Sequence, residues 1–295
     1  MLTEQSSLSR GILLILLAIA SFSAGDASVK WIGGTVNEVQ IVWARYLALF
    51  FFIALLLTAQ GKIRAAIRLN RPTLTIGRSA LLPAFDFLFI TAFILLPLAT
   101  VNSISSSVPI MVTILSVFVL RETIRIYRWI AVIIGCVGVL IIVNPLSVSF
   151  DRNLVFPLSG AVILAFYQIL IKIGANRESQ GTNQLYMGLV PCILTSLCVP
   201  FFWQELSMQT LLLLMGISLF HAVGHFLMIL AMTLTSPSNL QPFFYTGLLW
   251  ATFYGWFFFS ELPDLKVVTG LCLIVASGLF VLYRQRVLQK RGEAS

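Results

Sequence analysis

Asp86 and His225 are ionisable groups inside long apolar stretches, 139 residues apart. A carboxylate in such surroundings can take up and release a proton or hold a cation, and a histidine changes charge near neutral pH. His225 closes the sequence HAVGH with His221, four residues earlier and on the same helix face. A zinc hydrolase with this spacing needs glutamate in second place; Ala222 stands there, so metal-assisted hydrolysis is excluded. Either histidine could instead be a buried ring satisfied by a serine or a carbonyl. Arg45 also lies inside an apolar stretch and cannot readily lose its charge, so it needs a carboxylate or an anionic substrate group. Asp26 is its nearest partner by depth, while Asp26 and Lys30, four apart, suit a local ion pair or a lysine reaching for the surface.

Two uncharged polar faces accompany these charges. Asn102, Ser106, Pro109 and Thr113 recur at steps of four, three and four, which places them on one side of a helix. Ser238, Gln241, Tyr245 and Thr252 repeat the arrangement later, with Pro237, Pro242 and Gly247 as helix weakeners. Small polar residues often serve helix packing, but two matched faces suit the lining of a cavity. Pro109, Pro237 and Pro242 would let their helices bend as gates. Trp43 and Trp250 suit aromatic walls for a flat or cationic group, or interface anchors and packing residues.

The elements that must position these residues follow from composition. Apolar residues are 59% of the 295 and charged residues 10%, with mean hydropathy +0.97; this is an integral membrane protein. A bilayer crossing takes about 20 apolar residues. Ten such stretches are predicted at 11–31, 38–59, 77–96, 98–120, 126–144, 154–173, 184–203, 209–231, 237–259 and 266–284. With the N-terminus in the cytoplasm, 15 of the 19 basic residues fall at inner ends and loops, so both termini are expected to be cytoplasmic. That asymmetry accounts for the net charge of +8, leaving no separate support for nucleic-acid binding. The four cysteines, all inside spans at unrelated spacings, suit packing rather than disulfides or a metal. The first stretch reads as a retained span rather than a cleaved signal peptide. KIRAAIRLNR at 62–71 suits an interfacial helix on anionic lipid, or a regulatory lipid or partner site.

One pattern occurs twice: an apolar span, an acidic turn, and a glycine-spaced apolar span. Glu122 and Glu261 mark the turns, 139 residues apart, and Gly138 and Gly278 sit late in the following spans. Lys30 and Lys172 end the first and sixth spans. The chain divides into halves of residues 1–150 and 151–295, and five spans per half is an odd number, so the repeats are inverted. The two acidic turns are expected to be equivalent corners on opposite faces, each holding the last helix pair of its half.

LPLATVNSISSSVPIMVTILSVFVLRETIRIYRWIAVIIGCVGVLIIV and AMTLTSPSNLQPFFYTGLLWATFYGWFFFSELPDLKVVTGLCLIVASGLFVL carry a resemblance to the drug/metabolite transporter superfamily, specifically its EamA-type members. DASVK and the run from Gln241 to Glu261 are similar to carriers of the S-adenosylmethionine uptake type. Those carriers have a basic residue in the ninth-span aromatic cluster, where this chain reads Pro242, Phe243, Phe244, Tyr245, and Ala131 replaces a usual family glycine. The resemblance implies an all-α, ten-helix bundle with a cavity between the halves and alternating access. The expected activity is secondary transport of a small polar metabolite, an amino acid or derivative, with no cofactor. Alternatives are an S-adenosylmethionine or nucleoside-like metabolite, drug or cation efflux, or a channel or scaffold. Asn102, Ser106, Gln241, Tyr245, Arg45, Trp43 and Trp250 would meet substrate, and Asp86 and His225 would carry a coupling proton. Membrane lipids are the other expected partners. An enzyme is disfavoured, since no GxSxG, HExxH or paired catalytic aspartates occur.

Overall fold

A bilayer core offers no water to backbone N–H and C=O groups, so a chain this apolar folds into helices that close those bonds internally. The computed structural model describes residues 2–121, 126–144, 151–174, 178–234 and 240–290, and the regular structure among them is helical. The first seven helices are α1 (Leu2–Ile32), α2 (Glu38–Ala59), α3 (Ile63–Ala66), α4 (Pro72–Ser79), α5 (Leu82–Leu95), α6 (Leu98–Ser105) and α7 (Val108–Val119). They are followed by α8 (Ile126–Val143), α9 (Val155–Ile173), α10 (Gln180–Cys198), α11 (Met208–Leu234), α12 (Thr246–Phe259) and α13 (Leu265–Lys290). Among the described residues, seven stretches are long and apolar enough to cross a membrane, two of them, Pro72–Leu95 and Leu98–Val119, each assembled from two α-helices. Trp129–Val143 and Leu265–Val281 are shorter apolar helices.

The break between α6 and α7 has an identifiable cause. Pro109 has no N–H, so the Ser105 carbonyl four residues back loses its helical donor, and the chain turns at Ser106 and Ser107. The stretch before α12 is also not α-helical: Gln241–Tyr245 is a 3-10 turn with Pro242 in its first positions.

Neighbours in space are far apart in sequence: α1 lies along α11, α2 along α10, α5 along α9, and α8 along α13. The last pair consists of the two glycine-spaced helices, and glycine is what lets them touch. A Cβ on Gly138 would lie 2.6 Å from the Gly270 carbonyl oxygen, and one on Gly270 would lie 2.5 Å from that of Gly138. Farther along the same pair, Ala131, Ser277 and Gly278 border a cavity.

The second acidic turn is built by backbone geometry. Ser260 takes a left-handed conformation (φ 55°), and the Glu261 N–H donates to the Gly255 carbonyl at 2.9 Å, a helix-stop arrangement that satisfies an otherwise orphaned acceptor. Arg121, 139 residues earlier, has φ 54° at the end of α7. Glu122 itself lies outside the described residues.

The basic segment at 62–71 differs from the interfacial helix expected of it. Only Ile63–Ala66 is helical, and the rest is tied to protein: the Tyr186 hydroxyl donates to the Ile67 carbonyl at 3.0 Å, and Glu178 accepts from the Asn70 and Arg71 N–H groups at 2.8 and 2.6 Å. A capping carboxylate and a tyrosine within reach outweigh a helical continuation over the lipid surface. Arg78, buried nearby, donates to Asn183.

Candidate functional site

A cavity of about 620 Å³ opens between α6, α7, α8, α9, α12 and α13. Asn102, Ser106, Pro109 and Thr113 line it from α6 and α7, and Tyr245 lines it from the start of α12, opposite. Ser105 of α6, Gln168 of α9 and Ser277 of α13 add to its polar wall. The volume lies in the range of small-molecule sites, about 300–1,000 Å³. The Tyr245 ring rests on Gly278, where a Cβ would overlap the hydroxyl, so the absent side chain makes room for the phenol. Most hydroxyls here are turned back on their own helices. Ser106 donates to the Asn102 carbonyl (2.8 Å), Thr113 to that of Pro109 (2.8 Å) and Ser277 to that of Ile274 (2.8 Å). Such bonds satisfy the proton and leave the oxygen lone pairs to face the space.

The charged candidates gather elsewhere, between α1, α2, α5 and α11. Arg45 Nη2 donates to Asp26 Oδ1 at 3.1 Å, and His221 Nε2 lies 3.9 Å from the same oxygen. Asp86 of α5 interacts with the Tyr46 hydroxyl and lies within electrostatic range of Arg45 and Asp26. Phe22 meets both His221 and His225 edge-on, with ring centres 5.4 and 5.0 Å away. Arg45 Nε, His221 Nδ1 and His225 Nδ1 are buried without a protein partner among the described residues. Asp26 thus pairs with the Arg45 guanidinium, Asp86 lies within electrostatic range of it, and the His221 ring stands beside Asp26.

The model of the EamA-like transporter family matches residues 9–144 and 153–283. The chain belongs to this family. It is a multi-pass membrane transporter, and the names of its family and relatives are those of transporters rather than enzymes. The S-adenosylmethionine uptake transporter of Rickettsia bellii is 26% identical over 282 residues, covering 94% of this chain and 95% of its own length. The pseudopaline exporter CntI of Pseudomonas aeruginosa is 27% identical over 276 residues (92% and 95%). The riboflavin transporter of Vibrio cholerae is 29% identical over 174 residues (59% and 58%). A solved crystal structure superposes with a TM-score of 0.63 over 94% of this chain and 97% of its own, at 16% identity, which shows a shared fold.

Other sequence-predicted residues of this EamA-like protein lie apart from the cavity. Trp43 Nε1 donates to Ser196 Oγ at 3.0 Å and packs edge-on against Trp203, between α2 and α10. It is two residues from Arg45 on the same helix, hence about 200° around the axis and facing away from the ion cluster. Trp250 stacks on Tyr254 at 5.8 Å and packs against a core containing Ile15, Ile19 and Leu240. Gln241 and Pro242 belong to the 3-10 turn, but their side chains, and Pro237 entirely, lie outside the described residues.

Lys30 pairs with a distant partner rather than with Asp26. Its Nζ is 2.5 Å from Glu261 Oε1, donates to the Leu96 carbonyl at 2.7 Å, and sits 5.4 Å from the Phe259 ring centre. One lysine thus ties together the ends of α1, α5 and α12. Sequence reasoning passed over Gln168 and Ser277. The signal for Gln168 was present, a lone amide in the apolar run VILAFYQILI, whereas Ser277 resembles any small packing residue.

Proposed function

We propose that this protein is a secondary-active carrier of the inner membrane, moving a small polar organic metabolite by alternating access through the cavity between its halves. The observation that carries the reading is that polar residues of both halves, Asn102 and Ser106 from one and Tyr245 and Ser277 from the other, face a single cavity. Ten crossings in two inverted repeats, 1–150 and 151–295, complete it. The separate family matches and the left-handed residues Arg121 and Ser260, 139 positions apart, support the repeat. The basic-residue asymmetry supports cytoplasmic termini.

Lys30 and Glu261 then stand at the outer end, and Tyr245 and Glu261 are separated by the length of α12, about 21 Å for its 14 residues. The cavity is on the cytoplasmic side of that bridge, so this conformation is inward-facing, with the outer ends of both halves held together. Asp86 and His225, with Asp26, Arg45 and His221, form the coupling group: the carboxylate in excess of the single guanidinium takes up the coupling proton. Among substrates, relatives named for S-adenosylmethionine uptake favour an amino-acid derivative that also carries a nucleoside. Flux of such solutes into proteoliposomes tests the reading: a carrier saturates and shows counterflow, whereas a channel gives flux linear in concentration and a scaffold gives none.

A further inference from the structure

Lys30 stands within reach of two carboxylates and uses one of them. Its Nζ lies 2.5 Å from Glu261 Oε1 and donates to the Leu96 carbonyl at the end of α5. Asp26 is one turn back on α1, in the acid-before-base order at a spacing of four that suits a helical ion pair. Here Asp26 is taken instead by Arg45, whose Nη2 donates to Oδ1 at 3.1 Å. The hold on Glu261 is one-sided: Oε2 is buried without a partner among the described residues, while the side chain as a whole is 25% exposed. Water would therefore satisfy this carboxylate once its turn moved off α1.

The charges count differently in the two arrangements. Around the ion cluster stand Asp26 from α1, Arg45 and Tyr46 from α2, Asp86 from α5, and His221 and His225 from α11. The histidines do not supply a second cation. Each Nδ1 is buried with no acceptor among the described residues for an extra N–H, and that of His221 lies against Gly25, where a Cβ would be 2.7 Å away. With Lys30 on Glu261, Arg45 serves both Asp26 and Asp86, so one carboxyl keeps a proton. With Lys30 on Asp26, Arg45 is free for Asp86, both carboxylates are paired, and that proton leaves to water.

We propose that Lys30 exchanges Glu261 for Asp26 when the outer end opens, and that this exchange ties proton binding to closure of the outer end. The proposal rests on the carrier reading and on the coupling group assigned there; it adds Lys30 and Glu261 as the residues through which that group senses the conformation. By linkage, the state that binds the proton more tightly is the state the proton favours. A proton arriving from outside therefore closes the outer end, and its release to the cytoplasm lets that end open again.

Pulsed electron-spin distance measurements on the full-length protein in nanodiscs test this without any substrate. Labels at Glu205→Cys and Leu262→Cys, both exposed and in the connections before α11 and after α12, read the width of the outer end once the four native cysteines are replaced. One proton separates the two arrangements, so the ratio of short to long distances is expected to fall with rising pH by up to about tenfold per unit. Lys30→Met and Asp26→Asn are each expected to abolish that pH dependence, the first favouring the long distance because Glu261 is untied, the second the short one because Lys30 has no second carboxylate. If Asp26→Asn does not fold, Glu261→Gln takes its place and is expected to favour the long distance at every pH. A distance that ignores pH in the unaltered protein, a response of opposite sign, or a response that survives in Lys30→Met or Asp26→Asn overturns the proposal. The carrier reading fails on a different measurement, the absence of saturable flux into proteoliposomes across a broad metabolite panel.

Discussion

Replacing Lys30 with methionine removes the charge that joins α1 to the turn after α12 while keeping most of the apolar stem. Lys30 and Glu261 are 11% and 25% exposed, with 2.5 Å between Nζ and Oε1, and Lys30 also donates to the Leu96 carbonyl. An exposed ion pair contributes about 0–1 kcal/mol, and removing one member of a fully buried pair costs about 3–5 kcal/mol. Discounted for Glu261's partial exposure, and with the lost Leu96 bond included, Lys30→Met is expected to destabilise the protein by about 2 kcal/mol. Glu261→Gln should cost less, about 1 kcal/mol, because the amide can still accept from Lys30 and because Glu261 Oε2 is already buried without a partner. Equilibrium unfolding in mixed micelles of both single variants and the double variant gives the coupling, expected near 1 kcal/mol. Single-variant effects that simply add would refute the claim that this bridge is an energetic link between the halves.

Gly138→Leu and Gly270→Leu each drive a side chain into the other helix's backbone and should cost about 1–3 kcal/mol in the same unfolding assay. Gly216→Ala, with nothing within 4 Å of the added carbon, should not destabilise it. Arg45→Met strands Asp26, so it should lower the yield of monodisperse protein on size exclusion, and adding Asp26→Asn should restore it. Asp86→Asn should flatten the pH dependence of uptake into proteoliposomes; an unchanged profile removes Asp86 from the coupling role.

The polar face of α6 and α7 was legible because the spacing of Asn102, Ser106, Pro109 and Thr113 is local and helical, and Pro109 announced a weak point. The pairing of Arg45 with Asp26 was legible because two opposite charges at similar depth in a bilayer have few alternatives. The partner of Lys30 was not, since Asp26 is one turn away in sequence and the approach of Glu261 depends on how α1 packs beside α12. The second acidic turn therefore reaches the first span through Glu261 and Lys30. The contact of the glycine-spaced helices α8 and α13 with each other is also a tertiary fact, as is the cavity that Ala131 and Gly278 border. The segment 62–71 is helical over Ile63–Ala66 alone because Glu178 and Tyr186, more than 100 residues away in sequence, hold the backbone that follows, and no local pattern announces such partners.

The most direct test of the cavity as the transport path is a single cysteine, Ser106→Cys, in a protein whose four native cysteines have been replaced. A membrane-impermeant thiol reagent should label it in proteoliposomes, a solute that the reconstituted carrier transports saturably should slow the labelling, and complete labelling should abolish uptake of that solute. Full uptake with the cavity cysteine completely labelled would contradict the account.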